Sequence, residues 1–251
     1  MKFIAPIFII FTMALGIVAQ VKTAEKVVSY KLKDSLQTIV VTTKDWNAIS
    51  GTARFYERKT LKSAWKATGK TFPIVVGKTG LAWSDDARMK AETHPHKVEG
   101  DGKSPAGMFM LTSIFAASDQ EVKLPFRKLG EFTECVDDPK SRYYNKIVDR
   151  LQTGMFDWKS SEKMLAVGEQ YELGVFVAHN SNPAVAGKGS CIFLHIWKDS
   201  STGTSGCTAM EKSNMETIIS WLDNTKNPML IQLPEPIYSQ YQTLWKLPKI
   251  K

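Results

Sequence analysis

The chain has 251 residues and a formal net charge of +8, from 33 Lys and Arg against 25 Asp and Glu, with 43% hydrophobic and 23% charged residues. That length supports one sizeable core, and that balance is ordinary for a globular domain, which argues against a disordered chain or a many-span membrane protein. The positive surplus is spread along the chain, with no basic stripe interleaved with aromatics; it suits acidic envelope polymers or lipid headgroups and makes no case for nucleic acid.

Met1-Lys2 is a short positive start, Phe3 to Val18 is an almost unbroken apolar run, and Ile17-Val18-Ala19 offers a small residue for cleavage. The run is shorter than the ~20 residues of a spanning helix. It has the form of a secretory signal, with an uncleaved N-terminal anchor as the alternative. Removing residues 1–19 takes away Lys2 and lowers the formal charge to +7, and no cysteine lies near the cleavage point for lipid attachment. The expected location is the periplasm or cell envelope, with no integral membrane span after processing.

A short N-terminal segment, residues 20–34, then leads into one domain, residues 35–251, without repeats, low-complexity tracts or a Pro/Ser-rich linker. β-type runs come first: Thr38 to Thr43, Phe72 to Val76 between glycines, and Met108 to Thr112. Residues 119–169 are polar, aromatic-rich and poorly periodic, and read as an insertion of loops and short helices. Leu173 to His179 and Cys191 to Trp197 are stronger strands, rich in β-branched and aromatic residues; lacking clean alternation, they are expected to be buried on both faces. Asn180 to Gly189 between them is turn-rich. Ser213 and Glu216 have the spacing of a capping box ahead of Met215, Ile218, Ile219 and Leu222, which share one helical face. Pro228 to Leu233 returns as a strand. The fold class expected is α+β and β-rich, a mixed sheet or sandwich with one helix.

Three cysteines, Cys135, Cys191 and Cys207, leave one thiol over in an exported protein, or make one bond intermolecular. If Cys135 pairs with Cys191, Cys207 is free, as a reactive thiol must be; the alternative is three unpaired thiols, the first two acting as small buried hydrophobes. His195 ends a strand, residues 198–203 form a loop, and Gly206-Cys207 follows, so His precedes Cys by twelve positions. Papain-like and NlpC/P60-like hydrolases have the opposite order. Gly206 permits a tight turn whose amides can face a developing oxyanion, a stabilisation typically worth about 2.7–4 kcal/mol per donor. A free thiol, with a pKa of about 8.5, needs an imidazole beside it to become a useful nucleophile. The same imidazole can return the proton to a leaving amine.

These residues resemble the L,D-transpeptidase catalytic domain family (YkuD-like), in a branch with the strand Gly-Ser-x-Ile-Phe-Leu-His-Ile-Trp. Residues 189–197 fit that strand, and Ser205-Gly206-Cys207-Thr208-Ala209-Met210 fits the nucleophile segment. Glu99 to Phe109 matches the family's Gly-Asp-x-(Lys/Arg)-(Ser/Thr)-Pro-x-Gly-x-Phe signature, and Asp137-Asp138-Pro139, Tyr144-Asn145 and His179-Asn180 also fit the branch. The resemblance runs from Ser35 to Pro248. It implies Cys207 as nucleophile, His195 as general base and acid, and peptidoglycan stem peptides as partner, with neither metal nor organic cofactor. The substrate-binding candidates are Lys103, His179, Trp197, Thr204 and Ser205. Better-known members carry a second His where Ser205 stands, a longer loop after the base, and Gly where Ile196 stands. The group that orients His195 is therefore left between a backbone carbonyl and Ser205. Water in place of an amine acceptor would give an L,D-carboxypeptidase, and loss of catalysis a wall-binding module. Oligomeric state is not legible.

Other motifs are weaker. Gly100 to Ser104 lacks the first glycine of a phosphate loop, since Lys97 holds that position, and reads as a turn feeding a strand. His94 and His96, near Glu92 and Glu99, lack the further ligands of a metal site. His179 is either satisfied in the core or part of the cleft wall, and Asp137-Asp138 suits a turn.

Overall fold

The computed structural model describes residues 32–85 and 94–250. The expected signal segment and Glu92 lie outside the described residues. The centre of the fold is β1 (Gln37–Thr43), whose run of β-branched residues is buried throughout because it has a partner on each side. It pairs antiparallel with β2 (Ser50–Glu57) and parallel with β13 (Met229–Pro234). From β2 the sheet continues through β3 (Lys66–Val75), β12 (Thr208–Met210), β11 (Phe193–Ile196) and β10 (Leu173–Val177).

The sheet then closes on itself. β5 (Ser104–Ala116) is 13 residues long; its first half pairs with β13, Gln232 opposite Gly107, and its second half with β10, Leu173 opposite Ala116. The register shift between Phe176 and Val177 lets one long strand serve both neighbours. β4 (Leu81–Trp83) and β6 (Phe126–Lys128) add to the two ends of β5, making a ten-stranded sheet among the described residues. The molecule is thus a strand-dominated α+β protein, with the sequence-predicted mixed sheet curled into a barrel-like core. Both β10 and β11 are almost wholly buried, which explains their unbroken apolar runs.

Gly174 of β10 faces Phe115 of β5, and a Cβ there would lie 2.1 Å from the Phe115 ring. The missing side chain lets that ring pack edge-on against Phe193 at 5.1 Å and Tyr171 at 5.5 Å, which fixes the aromatic wall behind the site.

Helix α1 (Lys212–Trp221) follows β12 and buries Met215, Ile218 and Ile219, the face anticipated from their spacing. The expected capping box does not form. The cap position is Glu211, which makes no side-chain cap bond, because β12 ends at Met210 and the chain turns into the helix at once. Ser213 is therefore inside the helix, where its carbonyl accepts from Thr217 Oγ1 at 2.9 Å. A second helix, α2 (Glu235–Tyr241), follows β13 directly, with Pro236 in its first turn.

Besides turns and short 3-10 helices, the 119–169 segment holds a small antiparallel sheet that its sequence pattern does not announce. β7 (Thr133–Val136) is central, flanked by β8 (Ile147–Asp149) and β9 (Ser161–Lys163). Its strands are three or four residues long, too short for periodicity to show, and β7 buries a charged residue. Glu134 accepts from Trp158 Nε1 at 2.8 Å, from Ser161 Oγ at 2.7 Å and from Lys163, and its pKa lies below the usual carboxylate value because these bonds outweigh burial. A Cys135–Cys191 disulfide staples this small sheet to the chain just before β11.

Candidate active site

β11 and β12 lie parallel, with His195 opposite Ala209 and Leu194 opposite Thr208, so Cys207 enters β12 beside the strand that carries the histidine. Their connection is tied down from within. The Asp199 carboxylate accepts from the amides and hydroxyls of both Ser201 and Thr202, bonds that hold its pKa well below the usual value. Thr204 exchanges backbone bonds with Val76 and Lys78 just beyond β3.

The Cys207 backbone is clamped. Its carbonyl accepts from Ser104 Oγ at 2.8 Å and Thr204 Oγ1 at 2.6 Å. A Cβ on Gly206, whose φ is 157°, would lie 3.2 Å from the Lys103 carbonyl, so a side chain at the step before Cys207 would press that backbone aside. The Gly206 amide donates to Thr204 Oγ1 at 3.1 Å, which commits the amide that the sequence reading placed near an oxyanion.

The Cys207 thiol is buried and is the free cysteine. It donates to the Cys191 carbonyl at 3.4 Å and accepts from the Phe193 amide at 3.3 Å. Burial first, then the nearby Glu162 charge, push its pKa far up; the Phe193 amide, the Tyr171 hydroxyl and Lys97 pull the other way. In this arrangement it is a protected thiol, not a standing thiolate.

His195 Nδ1 lies 2.8 Å from the Ile196 carbonyl. A carbonyl only accepts, so Nδ1 carries the proton and Nε2 has the free lone pair a base needs. The orienting group is thus the carbonyl of Ile196, not Ser205. Burial lowers the pKa of His195 to about 4, so the ring is neutral near pH 7. His195 and Cys207 line one cavity of about 210 Å³ but share no hydrogen bond, a common looseness in a site without substrate.

Trp197, Thr204 and Ser205 line the same cavity, whereas Lys103 and His179 do not. Lys103 turns its ammonium to the Thr79 carbonyl and offers only its backbone to the Gly206 turn. His179 is buried, with Nδ1 bonded to Ser84 Oγ at 3.0 Å and Nε2–H donating to the Lys188 carbonyl at 2.9 Å; it fastens the 180–189 loop to the sheet. His94 stacks on Trp46 and His96 pairs with Asp85 at 2.9 Å; no metal-ligating group of three or more side chains occurs among the described residues. Asp138 caps a turn through the amides of Lys140 and Lys159.

Three side chains near the thiol were not anticipated. Tyr171 sits edge-on to His195 at 5.2 Å and donates to Glu162 Oε2 at 2.6 Å; burial, then the neighbouring Cys207 and Glu162, raise its pKa well above 10. Glu162 also lines the cavity, and burial, joined by Asp137 and Glu99, lifts its pKa to about 7. Lys97 is buried with its ammonium on Asp101 at 2.5 Å. Tyr171 and Glu162 come from the poorly periodic segment and its end, and no local motif marks them.

Comparison with curated proteins and with solved structures gives no match. A family model described as the L,D-transpeptidase catalytic domain (YkuD) matches residues 48–231, well over half of the chain and including β11, the 198–206 loop and Cys207. A strand-dominated fold, a strand-borne histidine and a clamped Gly-Cys step thus stand inside the matched region, and the chain belongs to the YkuD family of L,D-transpeptidase catalytic domains, which act on peptidoglycan.

Proposed function

We propose that the protein is an exported cysteine acyltransferase that carries out L,D-transpeptidation on peptidoglycan stem peptides through a Cys207 thioester. The observation that carries this reading is the shared cavity: a thiol with a clamped backbone and an amide donor on its sulfur faces the same space as a neutral histidine whose Nδ1 is already committed. His195 Nε2 takes the thiol proton as sulfur attacks the carbonyl after an L-centre of a tetrapeptide stem. The peptide C–N bond breaks, and the departing D-residue amine receives that proton from His195. An amine of a neighbouring stem then attacks the thioester, His195 takes its proton, and sulfur leaves to be reprotonated. Neither step calls for a metal or organic cofactor.

Export rests on residues 1–19 having the form of a secretory signal, and among the described residues no helix is long and apolar enough to cross a membrane. The test is to incubate purified protein with a disaccharide-tetrapeptide and resolve the products by mass. Cross-linked dimer with released D-residue supports transpeptidation, and trimmed tripeptide alone supports the carboxypeptidase reading. Identical products from Cys207→Ala would overturn both.

A further inference from the structure

The same cavity holds a carboxylate that the thiol–imidazole chemistry does not use. Glu162, on β9 of the small sheet, lines the space that Cys207 and His195 line, and among the described residues it is the one carboxylate there. Tyr171 holds Oε2 at 2.6 Å, and Oε1 takes no hydrogen bond from a described residue. No described Lys, Arg or His pairs with Glu162, although ten ion pairs form elsewhere among the described residues. The cation on the cavity lining, Lys198, is exposed to solvent. A half-buried carboxylate beside a nucleophilic thiol raises the thiol pKa, which is a handicap to the first half of the reaction. Its presence calls for a second half that needs a negative charge at that spot.

On the acyl-transfer reading above, we propose that Glu162, steadied by Tyr171, receives the ammonium group of the acceptor and deprotonates it for attack on the Cys207 thioester. A primary amine is protonated near neutral pH and carries no lone pair, so it must lose one proton before it can attack. Glu162 binds R–NH3+ as carboxylate and takes that proton, giving R–NH2 and a carboxylic acid. The amine nitrogen bonds to the thioester carbon, and its second proton goes to His195 Nε2. The C–S bond breaks, the thiolate recovers a proton from His195, and Glu162 releases its own to solvent. Two protons leave the nitrogen and each has a separate acceptor. A carboxyl whose pKa burial raises to about 7 suits the first of these transfers, since it can both take and shed a proton near neutral pH.

The test is Glu162→Gln, which keeps an oxygen for the Tyr171 hydroxyl. Wild type and variant are acylated with a tetrapeptide whose own amines are acetylated, and the thioester is then divided among water, hydroxylamine and a free-amine tetrapeptide. Hydroxylamine is largely uncharged at pH 7.5 and needs no such base. The expected result is thioester formation at least as fast as in wild type, unchanged trapping by hydroxylamine, and loss of the free-amine product by tenfold or more, with partial return in Glu162→Asp. Unchanged capture of the free amine overturns the proposal. So does a parallel fall in thioester formation and both trapping reactions, which assigns Glu162 to the thiol or to the fold. Absence of thioester in the wild type removes the acyl-transfer reading itself, and is read before any variant is compared.

Discussion

At the scale of single residues, Cys207 is a clamped thiol whose ionisation burial and Glu162 oppose, so the proposed mechanism assigns its activation to substrate and His195. Position therefore matters more than resting charge. Gly206→Ala pushes a methyl to within 3.2 Å of a backbone carbonyl at a φ of 157°, so it should slow acyl-enzyme formation by up to ~100-fold, as a small misplacement of reacting atoms does. Single-turnover rates check this, and an unchanged rate contradicts it. His195 and Glu162 also make opposite contributions to stability. Folded His195 gives up its proton down to about pH 4 whereas the unfolded chain does so near 6.5, so this contribution is complete above 6.5 and is lost as pH falls through 4. Folded Glu162 holds its proton up to about pH 7 against 4.5 unfolded, so its contribution is complete below 4.5 and is lost as pH rises through 7. Each is worth roughly 1–3 kcal/mol and the two oppose each other in the wild type. Urea unfolding between pH 4.5 and 7 should show Glu162→Gln gaining stability with rising pH relative to wild type, and His195→Gln losing it. Parallel curves contradict both assignments.

At the scale of elements, the disulfide matters for two reasons: it ties the small sheet to the barrel, and the carbonyl of Cys191 receives the thiol proton. The bridge spans 56 positions, so Cys135→Ser with Cys191→Ser should lower unfolding stability by about 2–4 kcal/mol. Denaturant titration measures this, and a loss under about 1 kcal/mol would show that the sheet docks without it. What could be read from sequence follows element length and character. The Thr38 to Thr43 and 191–197 runs announce themselves because buried strands are made of β-branched and aromatic residues. β2 is not announced, because its first half is largely exposed and Gly51, Thr52 and Arg54 break the apolar pattern. The small sheet is hidden for the reasons of length and buried charge given above. His195 and Cys207 were legible because one strand and one loop join them. Tyr171 and Glu162 were not, because β10–β11 pairing and the disulfide-stapled sheet bring them to the thiol from distant parts of the chain.

At the scale of the whole molecule, a closed sheet holds His195 on β11 and Cys207 at the entry to the adjacent β12, while the 119–169 segment supplies one wall of the cavity from outside it. The barrel thus fixes the thiol–imidazole geometry, and the attached small sheet places the carboxylate beside it. On the proposed function, the chain leaves the cytoplasm to meet its polymer. N-terminal sequencing of protein recovered from the envelope of an expressing bacterium should show a chain that begins after Ala19; a retained Met1 contradicts the signal reading. The most direct test of the central claim is intact-protein mass spectrometry after brief incubation with a tetrapeptide donor and acid quench. The expected result is a mass gain equal to the donor less the released D-amino acid, mapped by digestion to the peptide containing Cys207 and missing in Cys207→Ala. An unmodified protein that still turns over the donor, or an adduct on any other residue, would contradict it.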